Sequence, residues 1–133
     1  RVNMRPMTPD AMAAAEAALR DAIAAVSREH DVHCHLYGGF NRPPKPLDAA
    51  ATRLFELVRD CGSALGLSIG WNATGGVCDG NNIAACGVPV VDTMGPRGGA
   101  IHSADEFLIV DSLAERAQLS ALTLLKIAER GTV

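Results

Sequence analysis

Gly75-Gly76-Val77-Cys78-Asp79-Gly80-Asn81, followed by Pro96-Arg97-Gly98-Gly99-Ala100-Ile101-His102-Ser103-Ala104-Asp105-Glu106-Phe107, is the stretch on which the reading of this chain turns. The first segment is a glycine-lined turn between a predicted strand, 67–71, and a predicted short helix, 81–86. At such a turn the leading N–H groups of the helix lack internal partners and can face an anion. Gly75 and Gly76 let the backbone approach a ligand closely and take positive φ. The second segment sets a lone histidine in a loop ahead of an apolar strand. The pair points to an active site of which this chain holds one part.

Each of these features also has a plainer reading. Gly75 and Gly76 suit a tight connection with no ligand, and His102 suits a surface loop. Asp79 fits a helix cap, and Cys78, with no histidine near it in sequence, fits a neutral buried thiol. No G-K-[ST] follows the turn and no G-x-G-x-x-G is present, which disfavours a nucleotide phosphate. One histidine is not a zinc site, because zinc needs three or four ligands and no H-E-x-x-H occurs. His33 and His35 stand at a chelating i, i+2 spacing, but a half-exposed sheet face accounts for them better.

Upstream, residues 1–7 alternate as a short half-buried strand, with Arg5 on its polar face. Thr8 as N-cap, Pro9 at the first helical position and Asp10 in the first turn open a helix. Met12, Ala15, Leu19, Ile23 and Val26 give it one apolar stripe to about Ser27. Residues 32–37 alternate again. The connector 38–46 holds two glycines and three prolines and marks a domain boundary. A helix from Asp48 to Leu65 follows, with Ala51, Leu54, Val58, Cys61 and Leu65 on one side and Gly66 at its end. Val88 to Val91 makes a brief strand. Ser112 with Glu115 forms a capping box for a last helix, whose inward stripe is Leu113, Ala117, Leu124 and Ile127, ending at Gly131. Helices alternating with short strands after residue 47 predict an α/β layered sheet, and residues 1–37 predict half of a small α+β sandwich.

Composition bounds the function classes. The chain has 133 residues, 48% of them apolar, and a net charge of −3 with its basic residues scattered. No basic stripe exists for phosphate backbones, so no nucleic-acid partner is expected. No apolar run approaches the length of a membrane span, so no membrane partner is expected either. Four cysteines without a C-x-x-C pair predict free, mostly buried thiols, and the lack of a span or of a charged-then-apolar opening predicts a cytoplasmic protein. The chain begins at Arg1, so an N-terminal signal is not assessable.

The order of the motifs carries a resemblance. G-G-V-C-D-G-N, then C-G-V-P-V-V-D-T-M-G-P-R-G-G, then A-I-H-S-A-D-E-F and a helix opening D-S-L, resembles the C-terminal third of the co-catalytic zinc amidohydrolases and exopeptidases. That family includes acetylornithine deacetylase, succinyl-diaminopimelate desuccinylase and the glutamate carboxypeptidases. The resemblance implies an α/β fold, part of a mixed-sheet zinc-exopeptidase catalytic domain over 43–133. Residues 1–42 would be the β-α-β half of a ferredoxin-like lid that also forms a homodimer contact. By position, His102 matches the last ligand of a pair of divalent metal ions, zinc or else cobalt or manganese. Gly75 and Gly76 match the turn beside the substrate carboxylate, and Arg5 the lid arginine that binds it.

Two departures accompany the resemblance. Val77 stands where several members carry a hydroxyl residue. The family's H-x-D motif, bridging aspartate, glutamate pair and further acidic ligand have no counterpart here, so no catalytic residue is expected in this chain and the 133 residues alone are expected to be inactive. The implied function of the complete protein is hydrolysis of an amide or peptide bond in a small carboxylate-bearing substrate. The rival is a non-catalytic binding or dimerisation module on the same fold.

Overall fold

A computed structural model describes residues 2–131. Its elements run α1 Pro9–His30, α2 Ala49–Ala64, α3 Asp79–Ala85, β1 Gly98–Gly99, β2 Phe107–Leu108 and α4 Ser112–Arg130. Among the described residues the architecture is mixed, four helices with a small antiparallel sheet. The chain divides into two compact units, Arg1–Pro46 with Ala73–Val88, and Leu47–Asn72 with Pro89–Val133.

In the first unit α1 begins as its sequence dictates. The Thr8 hydroxyl accepts from the Ala11 N–H at 3.1 Å, proline sits in the first turn and Asp10 faces the positive end of the dipole. The helix runs one turn beyond Ser27 and stops at Asp31, whose left-handed backbone (φ 49°) donates its N–H to the Ser27 carbonyl. Met12, Ala15, Leu19 and Ile23 are half-buried, yet no residue of α1 is fully covered. Burial in this unit is confined, among the described residues, to Gly80 and Asn81 at the start of α3.

The second unit holds the apolar core. Asp48 caps α2 by accepting from the Ala51 N–H at 2.7 Å. Ala51, Leu54, Leu57, Val58 and Cys61 then recur at helical spacing on one buried face. That face packs on α4, where Leu119 is fully covered, and Leu67, Ile69, Val91, Met94, Leu122 and Ile127 fill the margins. Burying a leucine this way contributes about 1.5–3 kcal/mol. Gly62 is required at this contact, because a Cβ there would fall on the Ile69 side chain.

The inward face of α4 differs from the expected one. Leu113 and Leu124 are exposed, whereas Ser112, Leu119 and Thr123 are buried. Leucines at 113, 119, 122, 124 and 125 surround the helix, so apolarity alone does not select a face. Ser112 does not form a capping box either. The N-cap is Asp111, and the Ser112 hydroxyl donates to the Ile109 carbonyl (2.6 Å) and accepts from the Arg97 N–H (2.8 Å). Glu115 instead pairs with Arg97 and Arg116, each at 3.3 Å.

The strands are the larger correction. Residues 2–7, 32–37, 67–71 and 88–91 carry no strand, and Arg1 lies outside the described residues. Alternation says which face a strand would bury, but a ladder needs a second backbone, and these segments find none among the described residues. The sheet that forms pairs β1 with β2 antiparallel, Gly98 opposite Leu108 and Gly99 opposite Phe107. A Cβ on Gly98 would collide with the Phe107 carbonyl oxygen, so glycine admits the partner strand. No described helix is long and apolar enough to cross a membrane.

Candidate functional site

The glycine turn belongs to the first unit, where three segments distant in sequence meet. Arg5 donates through one guanidinium nitrogen to the Gly75 carbonyl at 3.2 Å. Its side chain lies over the turn, since a Cβ on Gly75 would stand 3.1 Å from the Arg5 Cδ. Arg5 and Gly75, named separately from the sequence, are therefore brought together. Neither Gly75 nor Gly76 has positive φ. What glycine provides at 75 is room for the arginine rather than an unusual backbone angle.

The turn's amides are partly engaged. The Gly76 N–H donates to the Thr74 hydroxyl at 3.3 Å and the Cys78 N–H to the Asn81 Oδ1 at 3.0 Å. An anion there would have to compete with the first of these bonds. Asp79 is not the helix cap; Cys78 holds that place, and the Asp79 carboxylate takes Arg42 at 2.7 Å. Asn81 is 5% exposed and also donates through Nδ2 to the Pro43 carbonyl at 2.9 Å. Sequence reading passed over Arg42, Thr74 and Asn81. The one local signal was an asparagine three positions after the cap, where a side-chain oxygen can reach back to the cap N–H.

His102 belongs to the second unit. The Ser103 N–H donates to the Ala100 carbonyl at 3.2 Å, which closes a four-residue turn with His102 at its third position. His102 has φ 65°, the left-handed value that a type II turn demands there and that glycine or asparagine usually supplies. Ala100 has φ 53° as well. The Ser103 hydroxyl donates back to the Ala100 carbonyl at 2.7 Å and accepts from the Asp105 N–H at 3.1 Å, stitching the loop from within. The His102 imidazole is exposed and has no hydrogen bond or ion pair to a described residue.

No group of three or more histidine, cysteine, aspartate or glutamate side chains able to hold a metal occurs among the described residues. His102 is a single nitrogen donor, so these residues do not by themselves fit a two-metal centre. His33 and His35 lie on no strand; both are exposed, with ring centroids 4.6 Å apart and planes at 84°. The four cysteines are free, as expected, but not mostly buried: Cys61 is buried, Cys78 half-buried, and Cys34 and Cys86 exposed. The Cys78 thiol donates to the Asn81 Oδ1 at 3.8 Å. Glu129 has its pKa lowered by the Lys126 hydrogen bond and charge and by Arg130, but it lies at the exposed end of α4.

Over 95 residues the chain is 30% identical to succinyl-diaminopimelate desuccinylase of Pseudoalteromonas translucida (strain TAC 125). The match covers 71% of this chain and 25% of the relative, so the chain spans about a quarter of that protein's length. No family model matches the chain, and no solved structure matches it. The likeness is therefore to one part of a desuccinylase.

Proposed function

We propose that this chain is the C-terminal portion of a metal-dependent amidohydrolase that cleaves an amide or peptide bond in a small carboxylate-bearing substrate, of the deacylase or carboxypeptidase type. The observation that carries the reading is His102, an exposed imidazole without a partner among the described residues, held at φ 65° by a loop that Ser103 stitches. Backbone held in a sparsely populated region persists where the surroundings enforce it, and functional sites are where such residues gather. The desuccinylase likeness supports the same reading.

In this proposal His102 gives one coordinate bond to a pair of divalent ions, zinc or else cobalt or manganese, whose remaining ligands and general base lie outside these residues. Bound metal would supply an activated water. Arg5, Gly75 and Gly76 hold the substrate carboxylate: among the described residues one guanidinium nitrogen of Arg5 is occupied, and a guanidinium fork suits a carboxylate. Residues 1–42 act as half of a lid that joins two copies, and residues 43–133 return to the catalytic domain. The free cysteines accord with a cytoplasmic setting.

The test is metal analysis of the full-length protein alongside hydrolysis of N-succinyl and N-acetyl amino acids. Two equivalents of divalent metal are expected. His102→Ala should lose about one of them and at least about a hundredfold in kcat/KM. Unchanged metal content and rate in that variant would remove His102 from the site. A full-length protein without stoichiometric metal would leave the binding module.

A further inference from the structure

We propose that Asn81 is a positioning residue for the glycine turn, its carboxamide tying residues 74–78 to the connector at Pro43 while the Arg42–Asp79 pair makes a second, weaker tie. The proposal rests on the reading of the turn as a carboxylate subsite. Asn81 is the one buried side chain of its unit among the described residues, and both ends of its amide are used: Oδ1 accepts from the Cys78 N–H, and Nδ2 donates to the Pro43 carbonyl 38 positions earlier in sequence. A buried amide with both ends satisfied fixes its partners in one arrangement, because any other leaves a polar group without water or protein.

The partner is stiff as well. Pro43 and Pro44 lock two consecutive φ angles, so the accepting carbonyl sits on a segment with little freedom to follow a drifting turn. The Arg42–Asp79 pair joins the same two segments at 2.7 Å, but the Asp79 side chain is 86% exposed, so salt screens that tie. Asn81 is the salt-independent part. Gly75 lies six positions before it, and the Gly75 carbonyl is what Arg5 grips. Asn81 therefore acts on a substrate carboxylate through the turn and Arg5, without touching it.

The experiment uses the full-length protein with Asn81→Asp, which keeps an acceptor for the Cys78 N–H but, ionised, cannot donate to Pro43. Exchange of the amides of 74–78 should quicken about tenfold, the loss of one modest hydrogen bond, while α2 and α4 stay protected. KM for a carboxylate-bearing substrate should rise about tenfold with kcat within about twofold, and KM for its neutral carboxamide analogue should not move. Arg42→Gln should produce a smaller change that disappears at high salt, and the reversed pair Arg42→Asp with Asp79→Arg should restore exchange. Unchanged exchange at 74–78 in a folded Asn81→Asp protein overturns the proposal, as does an equal rise in KM for both substrates. If Asn81→Asp does not fold, unchanged low-salt exchange in Arg42→Gln and Asp79→Asn overturns it. A full-length protein that hydrolyses neither substrate sinks the subsite reading, and the exchange result then decides the tie alone.

Discussion

His102 carries a β-carbon at a backbone angle that suits glycine, so its side chain is kept at a cost in stability. Replacing a non-glycine residue in the left-handed region relieves about 1–2 kcal/mol, partly offset by the entropy glycine loses on folding. His102→Gly should therefore raise stability by about 0.5–1 kcal/mol in urea unfolding while removing the imidazole. A loss of stability instead would mean the side chain holds the loop. Ser112 is the opposite case, a residue whose contacts are internal. Its buried hydroxyl serves the Arg97 N–H and the Ile109 carbonyl, so Ser112→Ala should cost about 1–3 kcal/mol, read by thermal unfolding. Sequence reading singled out His102 and Gly75 by motif order and Arg5 by a looser match, and it did not foresee that Arg5 lies on Gly75. It missed Asn81 and misjudged Ser112 because their roles are defined by partners 38 and 15 positions away.

Among the elements, the caps at α1 and α2 have similar chemistry and unequal consequences. Asp48 starts a helix that carries the core face, so Asp48→Ala should cost about 1 kcal/mol of global stability. Thr8 starts a helix with no buried residue, so Thr8→Ala should fray α1 locally and leave the global midpoint almost unmoved, as helicity and denaturant midpoint measured together would show. At the far end of α4, the Lys126 hydrogen bond and charge hold Glu129 below the usual carboxylate range. A depressed folded pKa favours the fold above the unfolded pKa, and that support fades as pH falls through the folded value. Lys126→Ala should move the Glu129 titration upward, which side-chain NMR reads directly. The starts of α1 and α2 were legible because their caps are local to the first turn, whereas the caps of α3 and α4 and the end of α1 were misplaced. The phase of α4 and the strands were not legible, since a helix ringed with leucine offers several faces and a ladder needs a partner that alternation does not name.

For the molecule as a whole, burial is unevenly shared, and so is the expected protection. The second unit closes Leu57, Val58, Cys61 and Leu119 into a core, whereas the first covers no apolar side chain completely among the described residues. Amide exchange of the chain should show α2 and α4 protected at least about a hundredfold more than α1; equal protection would contradict this division. The broad class, helices with some sheet, was legible from punctuation and periodicity, while the core's location emerged only from which two helices meet. That meeting has a consequence for synthesis. Cys61 and Leu119 touch the same core but are 58 positions apart (119 − 61), and chains emerge at roughly 5–20 residues per second. For some seconds the finished face of α2 is at hand with its margins but without α4 to close on it, a window in which a nascent chain is open to chaperones and to wrong partners, and the fully covered Leu119 arrives only at its end.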